Sequence, residues 1–537
     1  MGKFLYGASV QGIQGFIFQT NKLKEIAGAS ELVEQICSRL FADALGKENF
    51  DNDPNAILTA AGNIKYIFDD GETARKLVKN FPRKVMEFAP GITISQGIVP
   101  LNGQELSYEH IEKLEAILRA QRNRVNRAGE TGLLAAIRSR STGLPAVSVK
   151  KRKNEKEYYD LSALRKIETI MPDKDSKTEK YGRLTESFFG KDSTFELPLD
   201  LEEMVRTKGS NYGWLAVIHA DGNNMGLLLQ KLAAEMVEKE GKYNARAFRD
   251  FSRAIDAATK SAAQKAYACF ENQIGIEKKE YEKTFQEGKN GFPYKTPFRP
   301  IVLGGDDITI ICRADLALKF TELFLKYFEQ ETQANFSSIN YSSLKNGITA
   351  CAGITFVKYS FPFHYAYDLA ESLCSEAKKT AKDINPERTP SCLVFHKVQD
   401  SFVTDYNDIK QRELRVPGTG TNLNHGPYFL LEETSNGYKS ISKLMEECSI
   451  LGEEKGNPVK SHLRQWLTDI YTSEELARQK SKRMLNSPTL AGKLKKLGLT
   501  SPDSFYVQRQ YPGSSESRKV TPVFDWLSIH SITEGGK

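Results

Sequence analysis

Residues 301–311 read IVLGGDDITII, and this stretch decides how the middle of the chain is interpreted. Two apolar segments rich in β-branched residues flank Gly304-Gly305-Asp306-Asp307, which is the pattern of a β-hairpin with a glycine-containing turn. Two adjacent carboxylates at such a tip repel each other, and a divalent cation between them and a phosphate removes that repulsion. Because Asp and Gly are also ordinary turn residues, the stretch by itself fits a solvated turn as well as a metal site.

A second acidic position lies upstream, at the end of another buried-strand pattern. Residues 214–220 read WLAVIHA, and DGNNMG follows at 221–226. A carboxylate at a strand end supplies a metal ligand, and the start of a helix supplies free backbone amides that suit a triphosphate. We expect Asp221 to join the later pair in one sheet, although 85 positions separate it from Asp306 (306 − 221). His219, inside the apolar strand, is interpreted as a core residue, and Arg299 as a weaker phosphate ligand.

Together these motifs resemble the second palm domain of the type III CRISPR large subunit, the Cas10 polymerase/cyclase family. Residues 348–355 resemble the next strand of that family, and the helix around Ala377-Lys378 resembles its lysine-bearing helix. Residues 12–17 and 28–30 resemble its first palm. The resemblance covers roughly residues 1–430 and implies a compact form that lacks the family's N-terminal His-Asp nuclease domain.

The predicted fold class is α+β, with two ferredoxin-like palm domains and a C-terminal helical domain. Strand and helix patterns follow the order β-α-β-β-α-β twice, which is typical of this fold. The predicted divisions are a first palm with a basic segment at 1–170, a linker at 171–209, a catalytic palm at 210–400 and a mostly helical domain at 401–537.

The candidate site residues divide by role. Asp221, Asp306 and Asp307 are the predicted catalytic residues and metal ligands, and the Gly222 carbonyl is a further predicted ligand. The predicted nucleotide-binding residues are Gly222, Asn223, Asn224, Gly226, Gly304, Gly305, Lys378, Lys382, Gly62 and Asn63. The resemblance places Lys378 against phosphates, although lysines on a helix are more often solvated. Gly62-Asn63 occupies the position of the acidic turn in the first palm, and it is also simply a favourable hairpin turn.

The resemblance implies a nucleotidyltransferase that uses two Mg²⁺ or Mn²⁺ ions and ATP to form cyclic or short linear oligonucleotides in antiviral defence. Two other functions remain open at this stage. One is a template- or primer-dependent polymerase with the same metal chemistry. The other is a non-catalytic scaffold that binds RNA in a CRISPR effector complex. The base preference, the linkage and the activating signal are not predicted.

Composition bounds the partners. The chain of 537 residues carries a net charge of +7, which permits binding of a polyanion without arguing strongly for it. Basic residues recur at 105–160, including Arg122, Arg124, Arg127 and Lys153, and fit either a solvated face or an RNA contact. The seven cysteines form no Cys-x-x-Cys pair, so a zinc site is not predicted. We expect a cytoplasmic protein without a membrane segment, with small CRISPR subunits on its C-terminal domain and a possible homo-oligomer.

Overall fold

The structure is a computed structural model, and it describes most of the chain. The described residues are 2–48, 50, 53–60, 62–103, 105–123, 135–152, 155–171, 182–190, 196–207, 212–241, 244–286, 293–400, 405–431, 437–452, 458–510 and 517–533. Arg124, Arg127 and Lys153 of the basic segment lie outside them.

The first palm is a four-stranded antiparallel sheet with helices on it. Its elements are β1 (Phe4–Gln11), α1 (Ile13–Ile17), α2 (Leu23–Gln35), α3 (Phe41–Leu45), β2 (Ala56–Ala60), β3 (Asn63–Phe68), α4 (Gly71–Phe88), β4 (Thr93–Pro100) and α5 (Tyr108–Arg122). The strand order β2-β3-β1-β4 is that of a ferredoxin-like fold. In this sheet Ser9 of β1 lies opposite both Asn63 of β3 and Ser95 of β4.

A connecting region follows the first palm. It contains β5 (Ser148–Arg152), β6 (Glu155–Tyr159), α6 (Leu161–Ile170), α7 (Arg183–Phe189) and α8 (Leu201–Arg206). The sequence predicted a linker at 171–209, but the described part of that segment contains α7 and α8. Phe188 and Met204 are fully buried there. These two helices are therefore packed parts of the core, because each presents apolar side chains that the polar residues around them obscure in the sequence.

The second palm repeats the strand order of the first. Its elements are β7 (Trp214–Gly222), α9 (Met225–Glu240), α10 (Ala245–Gln286), β8 (Phe298–Gly304), β9 (Asp307–Arg313), α11 (Ala314–Phe336), β10 (Ala350–Lys358), α12 (Phe363–Ile384) and β11 (Cys392–Lys397). The palm strands pair in the order β8-β9-β7-β10, and β11 adds a fifth strand parallel to β10. Asp221 of β7 lies opposite both Asp307 of β9 and Cys351 of β10.

Glycine allows one helix in each palm to approach the sheet closely. A Cβ atom at Gly353 of β10 would lie 2.0 Å from the Ala370 carbonyl oxygen of α12. In the first palm, a Cβ atom at Gly97 of β4 would lie 2.8 Å from Ile117 of α5. These two glycines hold equivalent positions, since each lies two residues beyond the partner of Asp221 or Ser9.

The C-terminal domain is mostly helical, as the sequence predicted. It contains α13 (Tyr406–Arg412), β12 (Tyr428–Phe429), α14 (Ile441–Gly452), α15 (Pro458–Thr472), α16 (Glu474–Leu485), α17 (Pro488–Lys496), β13 (Val507–Gln510), β14 (Ser517–Val520) and α18 (Val523–Thr533). The strand β12 pairs with β11, so this domain extends the sheet of the second palm. Among the described helices, none combines the length and apolar character that crossing a bilayer requires.

Candidate active site

Three carboxylates meet at one end of the second palm sheet. The antiparallel pairing of β7 with β9 places Asp221 beside Asp307, and the two-residue turn between β8 and β9 brings in Asp306. One carboxylate oxygen from each residue lies within 4.8 Å of the others. The structure thus brings together the three acidic residues that the sequence pointed to, across the whole of α9 and α10.

The electrostatics of this cluster are those of crowded like charges. Burial and the charge of Asp221 raise the pKa of Asp306 to about 6. Burial and the same neighbour raise the pKa of Asp307 well above its usual value. Burial also opposes ionisation of Asp221, but hydrogen bonding from Asp307 and the charge of Lys378 outweigh it and lower the pKa of Asp221. Asp221 is therefore the member of the cluster that ionises most readily.

Lys378 of α12 is the cation of the cluster. Its Nζ forms an ion pair with Asp221 and donates a hydrogen bond of 2.8 Å to the Gly222 carbonyl oxygen. Burial lowers the pKa of this lysine, but Asp221 has the larger combined effect and raises it. The ammonium group therefore occupies the two oxygen ligands, Asp221 and Gly222, that the sequence assigned to a metal ion.

The residues present fit a hard divalent cation. Carboxylate and carbonyl oxygens are the donors that Mg²⁺ and Mn²⁺ take. A bound cation would offset both the burial and the charge of Asp221, which together raise the pKa values of Asp306 and Asp307. Gly222 also suits this arrangement, because a Cβ atom there would lie 2.9 Å from Cβ and Oδ2 of Asp306. A side chain at position 222 would therefore push Asp306 away from Asp221.

The loop after β7 is held in place by the side-chain amides of two asparagines. The Asn223 side-chain amide donates to Thr349 Oγ1 at 3.0 Å, and the Asn224 side-chain amide donates to Thr389 Oγ1 at 3.0 Å. Asn224 has a φ of 58°, in the left-handed region that Asn tolerates better than most residues. These two side chains hold the start of α9 in place. Gly226 lies in its first turn with open space beside it, and a role in nucleotide binding stays a prediction for all three.

A cavity of about 590 Å³ separates the acidic cluster from the first palm. Its size lies in the range of small-molecule sites. Ser9, Asn63 and Arg122 line it from the first palm. Asp221, Gly304 and Asp307 line it from the second. The predicted acceptor turn therefore faces the predicted metal site, with Asn63 in the cavity wall.

The neighbouring Gly62 shapes the acceptor turn through its backbone. Its carbonyl oxygen accepts a hydrogen bond of 2.8 Å from the Val10 amide of β1. Gly62 has a φ of 76°, and a Cβ atom there would lie 2.4 Å from Cδ1 of Ile13. Glycine at this position therefore lets the turn close against α1 and sets the direction in which Asn63 points.

Three further residues considered in the sequence analysis do not contact the acidic cluster directly. His219 is buried, its Nδ1 lies 3.1 Å from Thr309 Oγ1, and burial lowers its pKa, in line with the core role predicted from the sequence. Arg299 is only 3% exposed inside β8, so the structure gives no support to a phosphate contact there. Lys382 is exposed one turn beyond Lys378 on α12.

Sequence reasoning missed a bridge across the cavity. Gln14 of the first palm donates to the Tyr367 hydroxyl at 3.0 Å and to Glu371 Oε1 at 3.3 Å, both on α12. All three residues line the cavity. Helical spacing marks Tyr367 only as a core position, and no local pattern connects it to a residue 353 positions away.

Residues 214–385 match the family model described as Cas10/Cmr2, second palm domain. This domain belongs to the Cas10/Cmr2 family. The matched range runs from the start of β7 to the end of α12, so it contains the three carboxylates and Lys378. No curated protein matches the sequence.

Solved structures extend the likeness to the whole Cas10-type fold. The chain is similar to one in a Csm1–Csm4 cassette in complex with cA4, at 15% identity and a TM-score of 0.52, covering 99% of this chain and 70% of that one. A cassette in complex with pppApApA matches at 16% identity and a TM-score of 0.52, covering 99% and 69%. A cassette in complex with AMPPNP matches at 15% identity and a TM-score of 0.51, covering 99% and 70%. These structures confirm the predicted α+β palm fold, and the family model confirms the predicted family for the second palm.

Proposed function

We propose that this chain is a metal-dependent nucleotidyltransferase that joins ATP into cyclic or short linear oligoadenylates in CRISPR-type defence. The observation that carries the proposal is the cluster of Asp221, Asp306 and Asp307 at the wall of a nucleotide-sized cavity between two palms. The similar cassettes are in complex with a cyclic oligoadenylate, a linear oligoadenylate and an ATP analogue, which supports the choice of substrate and product class.

The three carboxylates and the Gly222 carbonyl would hold two Mg²⁺ or Mn²⁺ ions. When bound, such ions lower the pKa of an attacking ribose hydroxyl and neutralise charge on the leaving pyrophosphate. The chain's own contribution is placement. Lys378 pairs with Asp221 and with the Gly222 carbonyl oxygen, two of the groups that would hold a metal ion. With an ion bound there, its ammonium group would be free to pair with a phosphate instead.

The first palm binds the acceptor nucleotide. Ser9 and Asn63 offer neutral polar groups, and Arg122 offers a cation to an acceptor phosphate. The start of α9, with Gly226 in its first turn, offers backbone amides to the triphosphate of the donor. The two nucleotides are thus held on opposite walls of one cavity, which lowers the entropy cost of bringing the hydroxyl in line with the α-phosphate.

The partners proposed from the sequence remain proposals. The cassettes pair Csm1 with Csm4, so a subunit of that kind is the partner that we propose for the C-terminal domain here. We also propose RNA as a ligand of the basic segment around Arg122, and self-association as an alternative to assembly with other subunits. Co-expression with candidate small subunits, followed by size-exclusion chromatography with light scattering, distinguishes a hetero-complex from a homo-oligomer.

A panel of labelled nucleotides tests the function. The purified chain is incubated with each NTP separately and with the four together, with Mg²⁺ or Mn²⁺, and with or without RNA. Short products from ATP alone support the proposal, and digestion with phosphatase separates linear from cyclic ones. Long products that match an added template support a polymerase instead. Absence of turnover under every condition, in a chain that still binds RNA, supports the scaffold.

A further inference from the structure

The acidic turn is gripped from outside the sheet by the long helix α10. The Gly305 amide donates a hydrogen bond of 3.2 Å to Asp256 Oδ1, and the Thr259 hydroxyl donates one of 2.6 Å to the Gly305 carbonyl oxygen. Asp256 and Thr259 are one turn apart, so they lie on the same face of α10. One helix face therefore binds both backbone polar groups of the residue that precedes Asp306.

The two gripping side chains are themselves held. Thr259 is fully buried, and its hydroxyl also faces the Ile255 carbonyl oxygen at 3.0 Å. Asp256 receives Lys260 on its other oxygen at 2.6 Å, which keeps its charge compensated beside the acidic cluster. Neither side chain can turn away without losing a second partner.

The helix that carries them is fixed at both palms. Ala258, Ala262 and Ala263 are fully buried, and α10 packs along α11 of the second palm. Two turns before Asp256, Arg249 donates to the Pro54 carbonyl oxygen of the first palm at 2.8 Å. The hydrogen bonds to the turn therefore come from a helix that also contacts the first palm.

The turn needs such a grip because it holds two carboxylates close to a third. Gly305 has a φ of 61°, which glycine adopts without strain, and one oxygen each of Asp221, Asp306 and Asp307 lies within 4.8 Å of the others, where ionised carboxylates repel one another. Hydrogen bonds from residues outside the ligand set are what orient metal ligands in general, and their loss typically weakens metal binding about 10- to 100-fold. Without α10, the same repulsion would drive Asp306 outward until the three oxygens no longer surround one point.

We propose that Asp256 and Thr259 are positioning residues that set the affinity of the acidic cluster for its metal ions. This inference rests on the proposed function, because it assumes that the three carboxylates bind metal. It assigns to α10, an insertion between the first two strands of the palm, the role of holding the acidic turn in place. A change in the position of α10 would then alter metal affinity without touching any ligand.

Thr259→Val tests the inference, because valine keeps the shape and removes only the hydroxyl. Mn²⁺ binding to the purified chain without nucleotide is measured by electron paramagnetic resonance. We expect the Mn²⁺ Kd to rise about tenfold or more. The matched control is Thr321→Val on α11, where a fully buried threonine donates only to the Ala317 carbonyl oxygen of its own helix, at 2.8 Å. Its Mn²⁺ Kd should stay within about twofold of the unchanged chain.

Two further variants keep the result interpretable. Thr259→Ser retains the hydroxyl and should restore Mn²⁺ affinity. Asp256→Ala, at a partly exposed position where folding is not at stake, should also weaken binding. Its control is Asp250→Ala, on the same helix, where the carboxylate pairs with Arg246 and Arg249 instead of with the turn. Equal Mn²⁺ affinity of Thr259→Val, Asp256→Ala and the unchanged chain overturns the inference.

The same measurement separates this inference from the proposed function. An unchanged chain that binds Mn²⁺ but makes no oligonucleotide refutes the function and leaves the positioning role to be read from the variants. An active chain whose Thr259→Val and Thr321→Val variants lose Mn²⁺ affinity equally keeps the function and refutes the positioning role. An unchanged chain that does not bind Mn²⁺ refutes both.

Discussion

The two palms share a strand order and a register, yet only one carries the acidic cluster. Ser9 and Asn63 face each other in the first palm where Asp221 and Asp307 face each other in the second. Both turns span two residues, and Gly62 stands in the first where Asp306 stands in the second. The fold supplies a place between two strand ends, and three side chains decide whether this place is acidic, as in the second palm, or neutral, as in the first.

The two palms also differ in the basic side chain that each offers to a phosphate. Lys378 is half-buried and tied to Asp221, whereas Arg122 is exposed at the end of the corresponding helix α5. A lysine held by a carboxylate is available to phosphate only after that carboxylate has another partner. An exposed arginine is available at once, and its planar group suits phosphate. We therefore expect the first palm to bind its nucleotide independently of metal.

The largest effect is expected from removing the carboxylates of Asp306 and Asp307, which the first palm lacks. Asp306→Asn with Asp307→Asn should lower turnover by about a thousandfold or more, because ligands of the metal are lost. The Tm of the metal-free protein should not fall, since the repulsion with Asp221 is relieved. Product formation from labelled ATP and thermal melts measure both.

The control for this pair lies in the first palm. Ser9→Ala with Asn63→Ala, at the matching positions, should raise the KM for ATP and leave Mn²⁺ affinity unchanged. Retained turnover in the double Asn variant would show that the acidic cluster is not the reaction centre.

Replacing Lys378 addresses the link between lysine and metal. Lys378→Met keeps the length of the side chain and removes its charge, so we expect turnover to fall about a hundredfold, as for loss of a group that stabilises phosphate charge. Mn²⁺ should bind at least as tightly as before, because the metal no longer competes with an ammonium group. Weaker Mn²⁺ binding in this variant would contradict the shared use of Asp221.

The stability of the second palm should depend on pH through the raised pKa of Asp306. The folded pKa of Asp306, about 6, lies above its unfolded value. Its contribution to stability is therefore present below about pH 4 and is lost as the pH rises through about 6, where its ionisation opposes folding. Bound Mn²⁺ reverses this, so affinity should rise roughly tenfold between about pH 5 and pH 7.

Thermal melts in EDTA and in Mn²⁺ at both pH values measure this linkage. The gain in Tm on adding Mn²⁺ should be larger at the higher pH, and Asp306→Asn should reduce that difference, leaving the part that comes from Asp307. A gain independent of pH in the unchanged chain would show that Asp306 is ionised before metal binds.

The smallest expected effect concerns the acceptor side. Arg122→Gln should raise the KM for ATP by about three- to tenfold, the range for one exposed charge-assisted contact, and leave kcat and Mn²⁺ affinity near their original values. Steady-state kinetics over a range of ATP concentrations separate the two parameters. Arg119→Gln, one turn earlier on α5, is the control and should change neither.

The fold and the three clustered carboxylates were accessible from the sequence because they are local patterns. Asp221 ends an apolar run, and Asp306 with Asp307 interrupts another, so two strands and their tips were predictable. The contacts that hold these tips were not. Thr259 lies in an alanine-rich helix 46 positions from Gly305, and nothing in its neighbours marks it as different from Thr321. Only the packing of α10 against the turn gives it a role.

The helices at 183–206 and the position of Lys378 show the same limit. Helical spacing placed Lys378 on α12 but did not say whether its ammonium group meets phosphate or carboxylate. The proximity of α12 to β7 decides that, and it depends on tertiary packing. Likewise, Phe188 and Met204 are buried by elements far away in the chain, so a segment with a linker-like composition forms part of the core.

The bare backbone at Gly353 has a consequence beyond packing. Because Gly353 has no side chain, Ala370 of α12 lies directly against β10. Lys378, eight residues after Ala370 on the same helix, reaches Asp221 of β7. Replacing Gly353 with alanine would push α12 away from β10 and so move the Lys378 ammonium group away from Asp221. The distance between the ammonium group and Asp221 can therefore be tuned from a buried position outside the acidic cluster.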